Sequence, residues 1–189
     1  MASDPDRTTE LTPSWMASIV LWWDETGAAH ELAGPEAVAL PGTGTAPVHV
    51  LTSQDPLGVE QPAARNRELL RELLAWVVDE TAGASAGWAW WPATGMAVDS
   101  GHAEQGIALR GASRADAVAL GRRYEQLGIY EVTDDDIAVV RCDDGEVSAV
   151  GPRRWAMPPD GTAERLAQER AAAWWRTYVD LLAEVRGPG

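Results

Sequence analysis

Residues 47–78 read PVHVLTSQDPLGVEQPAARNRELLRELLAWVV, a stretch that predicts a strand, a tight turn and a long amphipathic helix. Val48, Val50 and Thr52 alternate with their neighbours with the period of two that is typical of a strand. An Asp-Pro-Leu-Gly turn follows, in which Pro presets φ and Gly tolerates positive φ. Leucines at helical spacing come next, so we expect a helix that begins near Pro62 and packs on the strand.

This helix carries one polar residue on its apolar stripe. Asn66, the only asparagine in the chain, lies three and four positions before Leu69 and Leu70. Its amide therefore faces the end of the strand, because residues at this spacing share a helix face. We expect Asn66 to be buried and bonded to the backbone between Thr52 and Leu57.

The composition is acidic and free of lysine. The chain has 189 residues, which can bury the core of one domain without disulfides or metals. All fifteen basic residues are Arg, and the net charge of −14 argues against binding to a phosphate backbone, which needs clustered cations. We expect no nucleic-acid partner. Core packing explains most of the ten Trp, with stacking on a ligand as the alternative.

The lone Cys142 permits no internal disulfide, which is typical of a reducing compartment. The first ten residues lack the features of a secretory signal, and no apolar run reaches membrane-spanning length. We therefore expect a cytoplasmic protein with no membrane partner. The three His show no metal-ligand spacing to one another or to Cys142, so the sequence predicts no metal and no cofactor.

The order of elements predicts an α+β domain over residues 14–150. We expect a mostly antiparallel sheet of about five to seven strands, covered by about three helices. Residues 1–13 are polar and contain Pro, so they are expected to be a disordered tail. A Pro-rich linker is expected over 151–162, and an amphipathic helix over 163–186 is expected to pack on the domain.

Three local patterns add detail. Residues 28–46 show little period and predict a loop, whereas 88–98 predict strand, loop and strand. Ser113 begins a capping box, which predicts a helix start. The sequence Gly-Ala-Ser-Ala-Gly at 83–87 has the spacing of a nucleophile elbow, but helix precedes it and strand follows, which is the reverse of that motif.

The polar residues of the central stretch and of two later segments carry a resemblance to a known family. They are Thr52, Asp55, Pro56, Asn66, Glu104 and residues 124–126 (Tyr-Glu-Gln). On these residues the chain resembles the uncharacterised bacterial family called domain of unknown function 3293, over about residues 19–140. Its members carry a Thr-x-x-Asn-Pro-like turn, an inward Asn, a Glu-Ser-like pair and a Phe-Gly-Gln-like element. Here Asp55 stands in place of the Asn, Gln105 in place of the Ser, and Tyr-Glu-Gln in place of Phe-Gly-Gln. The resemblance implies a fold and a polar cluster, but no activity.

The candidate ligand-binding residues are Thr52, Asp55, Asn66, Glu104 and Gln126. In the functional interpretation, a small polar ligand lies over the strand end and contacts Asn66 and Glu104, with Trp88, Trp90 or Trp91 beside it. In the alternative, the same residues satisfy one another and the local backbone as a polar core network. Gln126 falls off the apolar stripe of its helix, so it can join this site only if the last helical turn loosens.

His102 and Glu104 are the one place where a ring and a carboxylate lie close in sequence. On a strand they share a face, because side chains repeat every second residue. They can form a base with its orienting group, or a surface ion pair.

Two functions follow as hypotheses. The first is a non-enzymatic binding or protein-interaction module, since no nucleophile, metal or cofactor signal is present. The alternative is a small enzyme acting on a polar metabolite, with Glu104 as acid or base and Asn66 as a positioning amide; other catalytic residues are unknown. The enzyme predicts a concave pocket around a Glu104 of perturbed pKa, whereas the interaction module predicts a flat or convex Trp-bearing patch.

The C-terminal helix offers the candidate partner surface. Trp174, Tyr178 and Leu181 lie on one face, while Trp175 is rotated by about 100° from Trp174. If this helix forms a homodimer or contacts another protein, Trp175 and Arg176 are expected at the boundary of the contact.

Overall fold

The structure, a computed structural model, describes residues 5–42, 44–82, 87–156 and 162–187, and its centre is the predicted strand and helix around residue 50. The helices are α1 (Pro5–Met16), α2 (Ala63–Ala82), α3 (Arg114–Arg123) and α4 (Thr162–Arg186). The strands are β1 (Ser18–Trp23), β2 (Ala29–Ala33), β3 (Val48–Thr52), β4 (Ala89–Ala97), β5 (Ala103–Arg110), β6 (Gly128–Val132), β7 (Asp136–Arg141) and β8 (Val147–Pro152).

The eight strands form one antiparallel sheet in the order β2-β1-β4-β5-β3-β6-β7-β8. The α+β class and the antiparallel sheet are confirmed. Among the described residues the sheet has one strand more than the upper expected number, and four helices lie around it rather than three. The sheet curls, and the backbone N–H of Gly34, just after β2, donates to the carbonyl of Arg153, just after β8, at 3.0 Å.

Two apolar cores lie on the two faces of this sheet. On the larger one, α2, α3 and α4 pack on the outward row of β1, β3 and β5, where Leu51, Ile107 and Leu109 are buried. The smaller core lies on the opposite row and includes Val48 and Val50. Strand alternation therefore divides β3 between both cores, and its residues are apolar except for the buried His49 and the terminal Thr52.

Residues 5–13, expected to belong to a disordered tail, lie in α1, and residues 1–4 lie outside the described part. The stability of this helix comes from its contacts with the sheet rather than from the helix propensity of its residues. Its Trp15 ring packs on Gly128, its Met16 packs on Gly151, and the Tyr130 hydroxyl donates to the Trp15 carbonyl at 3.0 Å. Packing of this kind supplies most helix stability in proteins, and a composition of polar residues and Pro does not reveal it.

Two further expectations are corrected. Residues 29–33, expected in a loop, form β2, which pairs with β1 after a turn held by Asp24, whose Oδ1 accepts from the N–H groups of Thr26 and Ala28. Residues 89–97 form one strand without the expected loop. Pro92 is tolerated there because β4 pairs with β1 only from Ala93 onwards, so no partner on that side needs its missing N–H.

The remaining boundaries lie close to expectation. Ser113 caps α3 with the complete capping box: its Oγ accepts from the Asp116 N–H, and the Asp116 carboxylate accepts from the Ser113 N–H. The expected linker at 151–162 overlaps the end of β8 and the first residue of α4, and its residues 157–161 lie outside the described part. Residues 83–86 of the Gly-x-Ser-x-Gly pattern also lie outside it.

No helix among the described residues is both long and apolar enough to cross a membrane.

The best-defined anchor of α4 is Tyr178, whose side chain is fully buried. Its hydroxyl oxygen accepts from the Gly106 N–H at 2.9 Å, and the hydroxyl donates to the Ala93 carbonyl. The helix is thereby bonded to the backbone of both β4 and β5. Burial raises the pKa of Tyr178, so the phenol stays protonated and remains a donor.

We expect Tyr178→Phe to lower the free energy of unfolding by about 1–3 kcal/mol, because it leaves buried backbone groups without their partner. Urea denaturation followed by circular dichroism measures this change. Val179→Ala, at the neighbouring exposed position, is the control and should change stability by less than about 0.5 kcal/mol. Equal effects of the two variants would contradict the anchoring role.

Candidate functional site

A cavity of about 300 Å³ lies on the sheet face that carries the smaller core. Its floor is the middle of β3, β4, β5 and β6, and the end of α1 covers part of it through Ser14 and Trp15. Volumes of this size are at the lower end of those that hold small molecules. The concave pocket that the enzyme hypothesis predicts around Glu104 is therefore present, whereas a flat or convex patch was the expectation for an interaction module.

The cavity exists because small residues follow one another across this face. Thr52, Gly106 and Ala93 form one cross-strand row, and Glu104 and Gly95 form the next. A Cβ at Gly95 would contact only the Tyr130 ring, at 3.8 Å, so the space above this residue is open. Large side chains in these rows would fill the space that the cavity occupies.

Aromatic rings form two of the walls. Trp15 reaches over β6, where a Cβ on Gly128 would lie 2.8 Å from its ring. Tyr130 is fixed by its bond to the Trp15 carbonyl, and burial raises the pKa of Tyr130, so its hydroxyl remains a donor. Trp15 thus depends on glycine at position 128 for its place in the wall.

The loop after β3 brings a carboxylate to the cavity. Asp55 is 5% exposed and has the left-handed φ of 46°, which is uncommon outside glycine although Asp tolerates it better than most residues. Its Oδ1 accepts from the Asn66 amide at 2.7 Å and from the Gln61 N–H at 2.8 Å. In return, the Asn66 Oδ1 accepts from the Asp55 N–H at 3.0 Å. Asn66 is half-buried, and its predicted bond to the backbone of this loop is found in the structure.

Gln126 reaches the cavity because α3 ends early. The helix stops at Arg123, and Glu125 takes a left-handed φ of 54°, which turns the next side chain inwards. The amide of Gln126 then donates to the Gln54 carbonyl at 2.9 Å. The loosened last turn on which its role depended is therefore present.

Asp55, His102 and Glu104 form a polar cluster at the cavity. The His102 Nε2 lies 3.1 Å from Glu104 Oε1 and 3.4 Å from Asp55 Oδ2. The hydrogen bond to Glu104 raises the pKa of His102, and burial raises the pKa of Glu104. The His102 ring is about half exposed, so the cluster joins the cavity to solvent.

The polar cluster also has the geometry of a metal-binding group. One ligand atom from each of its residues lies within 4.8 Å of the other two. Imidazole nitrogen and carboxylate oxygen are ordinary ligands of divalent metals. The prediction of no metal rested on sequence spacing alone, and spacing cannot show that Asp55 lies beside a strand almost fifty residues later.

The candidate ligand residues of the sequence divide in two. Thr52, Asp55, Glu104 and Gln126 line the cavity, whereas Asn66 does not and touches it only through Asp55. The expected tryptophans lie elsewhere: Trp88 and Trp90 pack against the larger core, and Trp91 against the smaller one. Trp15, Tyr130 and His102 line the cavity. Only His102 had a sequence signal, its spacing from Glu104; the two rings come from segments distant in sequence.

The candidate partner residues lie on α4, away from the cavity. Trp175 is half-buried, and its indole packs on Gly27 in the turn between β1 and β2. Arg176 is exposed, and its Nε donates back to the Ala172 carbonyl at 3.3 Å. Trp174 packs edge-on against Trp23, with ring centroids 6.4 Å apart.

Comparison with known families finds a match over the central part of the chain. Residues 51–129 match the family model described as Protein of unknown function (DUF3293). The resemblance read from the sequence is thereby confirmed for this segment, which contains all five candidate ligand residues. The family segment covers the polar cluster, but not Trp15 or Tyr130. No curated protein and no solved structure matches the chain.

We expect Asn66→Leu to lower the free energy of unfolding by about 1–3 kcal/mol, because the Asp55 N–H and carboxylate lose their partner. A thermal melt followed by circular dichroism would show the loss. Arg71→Leu on the exposed face of the same helix serves as the control. An unchanged melting curve for Asn66→Leu would show that the loop after β3 is held by other contacts.

Proposed function

We propose that the protein binds a small molecule in the cavity, with the polar cluster contacting the polar part of the ligand. The observation that carries this proposal is the convergence of Asp55, His102 and Glu104 on a concave, mostly apolar space. Binding sites for small molecules combine apolar walls with a few converging polar groups in this way. The cavity supports the binding function expected from the sequence.

The available hydrogen-bonding groups indicate the kind of ligand. Several donors around the cavity already bond to protein: the Thr52 hydroxyl to the Gln105 carbonyl, and the Tyr130 hydroxyl to Trp15. Carboxylates are the prominent acceptors, and no arginine is among the described residues that line the cavity. A ligand with an apolar body and hydrogen-bond donors or positive charge at one end fits these walls.

The second candidate is the small enzyme acting on a polar metabolite, with Glu104 as acid or base and Asn66 as a positioning amide. Its support is the position of Glu104 beside His102 in a cavity, rather than on a flat surface. Asn66 would not contact the metabolite itself but would hold the Asp55 side chain in position. An enzyme would convert a ligand of the cavity into a product, and Glu104→Gln would abolish this conversion. A binding protein would form no product.

A ligand screen tests the cavity directly. We expect a compound from a metabolite library to raise the melting temperature of the wild-type protein, as any ligand selective for the folded state does. In Gly95→Val the added side chain enters the open space, so the shift should disappear. Ala89→Val introduces the same side chain at an exposed position of the same strand and should retain the shift. A shift that survives in Gly95→Val would place the ligand elsewhere.

We also propose that the protein is cytoplasmic. A separate proposal is that it associates with itself through α4. The exposed Arg176 and the half-buried Trp175 support a contact at this helix, where Trp and Arg are favoured in interfaces. We expect Trp174→Ala to cost less than the about 3–5 kcal/mol of a fully buried ring, because Trp174 is half-buried and packs against the larger core. Trp175→Ala should instead change the apparent mass measured by light scattering. If Trp175→Ala unfolds the protein and Trp174→Ala is tolerated, the contact surface is assigned to the wrong face.

A further inference from the structure

We propose that Asp55, His102 and Glu104 bind one divalent transition metal ion, with an open coordination position directed to the cavity. The inference rests on the proposed function and changes the ligand that it predicts: with a metal at this place, the polar part of the ligand would be a lone-pair donor, such as a carboxylate or a hydroxyl, and not a positively charged end. The metal-binding step itself needs only the three side chains.

The distances between the ligand atoms suit a single ion. Zinc lies about 2.0–2.2 Å from imidazole nitrogen and carboxylate oxygen, so neighbouring ligands of a tetrahedral site are about 3.3 Å apart. The His102 Nε2 lies 3.1 Å from Glu104 Oε1 and 3.4 Å from Asp55 Oδ2. The ligand oxygens of the third pair, Asp55 and Glu104, lie within 4.8 Å of each other.

The supporting contacts leave the required lone pairs accessible. Asp55 uses Oδ1 for the Asn66 amide and the Gln61 N–H, and its other oxygen, Oδ2, faces His102. Residues that bond to a metal ligand in this manner fix its orientation and strengthen metal sites. The role of Asn66 is then to position a ligand residue rather than to contact the bound molecule.

Charge gives an independent reason for a cation. Asp55 is nearly fully buried and Glu104 partly so, and two carboxylates held this close repel each other unless a cation lies between them. His102 is the only basic side chain among the described residues that line the cavity, and Glu60 adds a third carboxylate. A dication bound to His102 would compensate the carboxylates that a single imidazolium compensates only in part.

The donor set restricts the metal. One imidazole and two carboxylates suit Zn²⁺, Mn²⁺, Co²⁺ and related ions, whereas Ca²⁺ and Mg²⁺ prefer all-oxygen sites. Three protein ligands with a remaining open position are typical of metal sites that act on a bound molecule. A Glu104 that binds the metal is not available as the acid or base of the second candidate function, so metal binding would decide against that role.

Titration of the protein with Co²⁺ and Zn²⁺ tests the site. The full chain without an affinity tag is treated with EDTA, desalted and titrated in a calorimeter, and the visible spectrum of the Co²⁺ form is recorded. We expect one ion per chain and intense visible bands, which indicate four- or five-coordinate cobalt. His102→Ala and Glu104→Gln should each weaken binding at least ten-fold. Both side chains are partly exposed, and circular dichroism verifies that the variants fold.

A matched control comes from the other exposed His–carboxylate pair. The His30 Nε2 lies 2.9 Å from Asp24 Oδ2, but the described residues provide no third ligand there. His30→Ala should therefore bind Co²⁺ as the wild type does. Absence of saturable binding at one ion per chain, or equal weakening by His30→Ala and His102→Ala, would overturn the proposal.

The cavity variant separates this proposal from the proposed function. Gly95→Val obstructs the cavity but leaves the three ligand residues intact, so it should lose the organic ligand and keep the metal. Loss of the metal in His102→Ala with full retention of the organic ligand would show that the two bind independently. If the EDTA-treated protein binds an organic ligand but takes up no metal, the metal proposal is contradicted and the proposed function is not.

Discussion

The reciprocal hydrogen bonds between Asp55 and Asn66 fix how β3 leads into α2, and the candidate site depends on this junction. Left-handed backbone costs a non-glycine residue about 1–2 kcal/mol, and two such residues, Asp55 and Leu57, occur within three positions. The Asn66 amide and the Gln61 N–H offset this cost at Asp55. The Glu125 carbonyl accepts from the Leu57 N–H at 2.7 Å and ties the loop to the end of α3. Strained backbone held by surrounding bonds is frequent at functional sites, which agrees with the position of this loop at the cavity.

The second constraint is the run of small residues on one sheet face. Ala93, Gly95 and Gly106 leave space between the strands and the end of α1, and Gly128 makes room for Trp15. A Cβ at Gly106 would lie 2.0 Å from the Leu51 carbonyl oxygen, so this glycine also permits the close approach of β3 and β5. Glycine thus permits the close approach of two strands at position 106 and leaves space for the cavity at position 95. Filling Gly95 is the way to test the volume without disturbing the curl.

Features that depend on neighbouring residues could be predicted from the sequence. Features that depend on contacts between residues distant in sequence could not. β3 follows from alternation, the start of α3 from its capping box, and the Asn66 contact from helical spacing, because each signal lies within a few residues. β2 was missed because Ala-His-Glu-Leu-Ala lacks the β-branched residues of typical strands, and its place depends on pairing with β1. The α1 helix was missed because its stability comes from Trp15 and Met16 packing on the sheet. Asp55 and His102 meet only after β3 and β5 pair, so no spacing rule could have joined them.

The family segment contains the polar residues of the cavity but not its aromatic walls. Asp55, His102 and Glu104 all lie within residues 51–129, whereas Trp15 lies before and Tyr130 lies just after them. The polar cluster lies wholly within the segment, on the loop after β3 and at the start of β5. The aromatic walls require α1 and β6, and α1 depends on contacts with β7 and β8 that the segment does not include. A change in α1 would therefore alter the shape of the cavity, while the polar cluster stays in place.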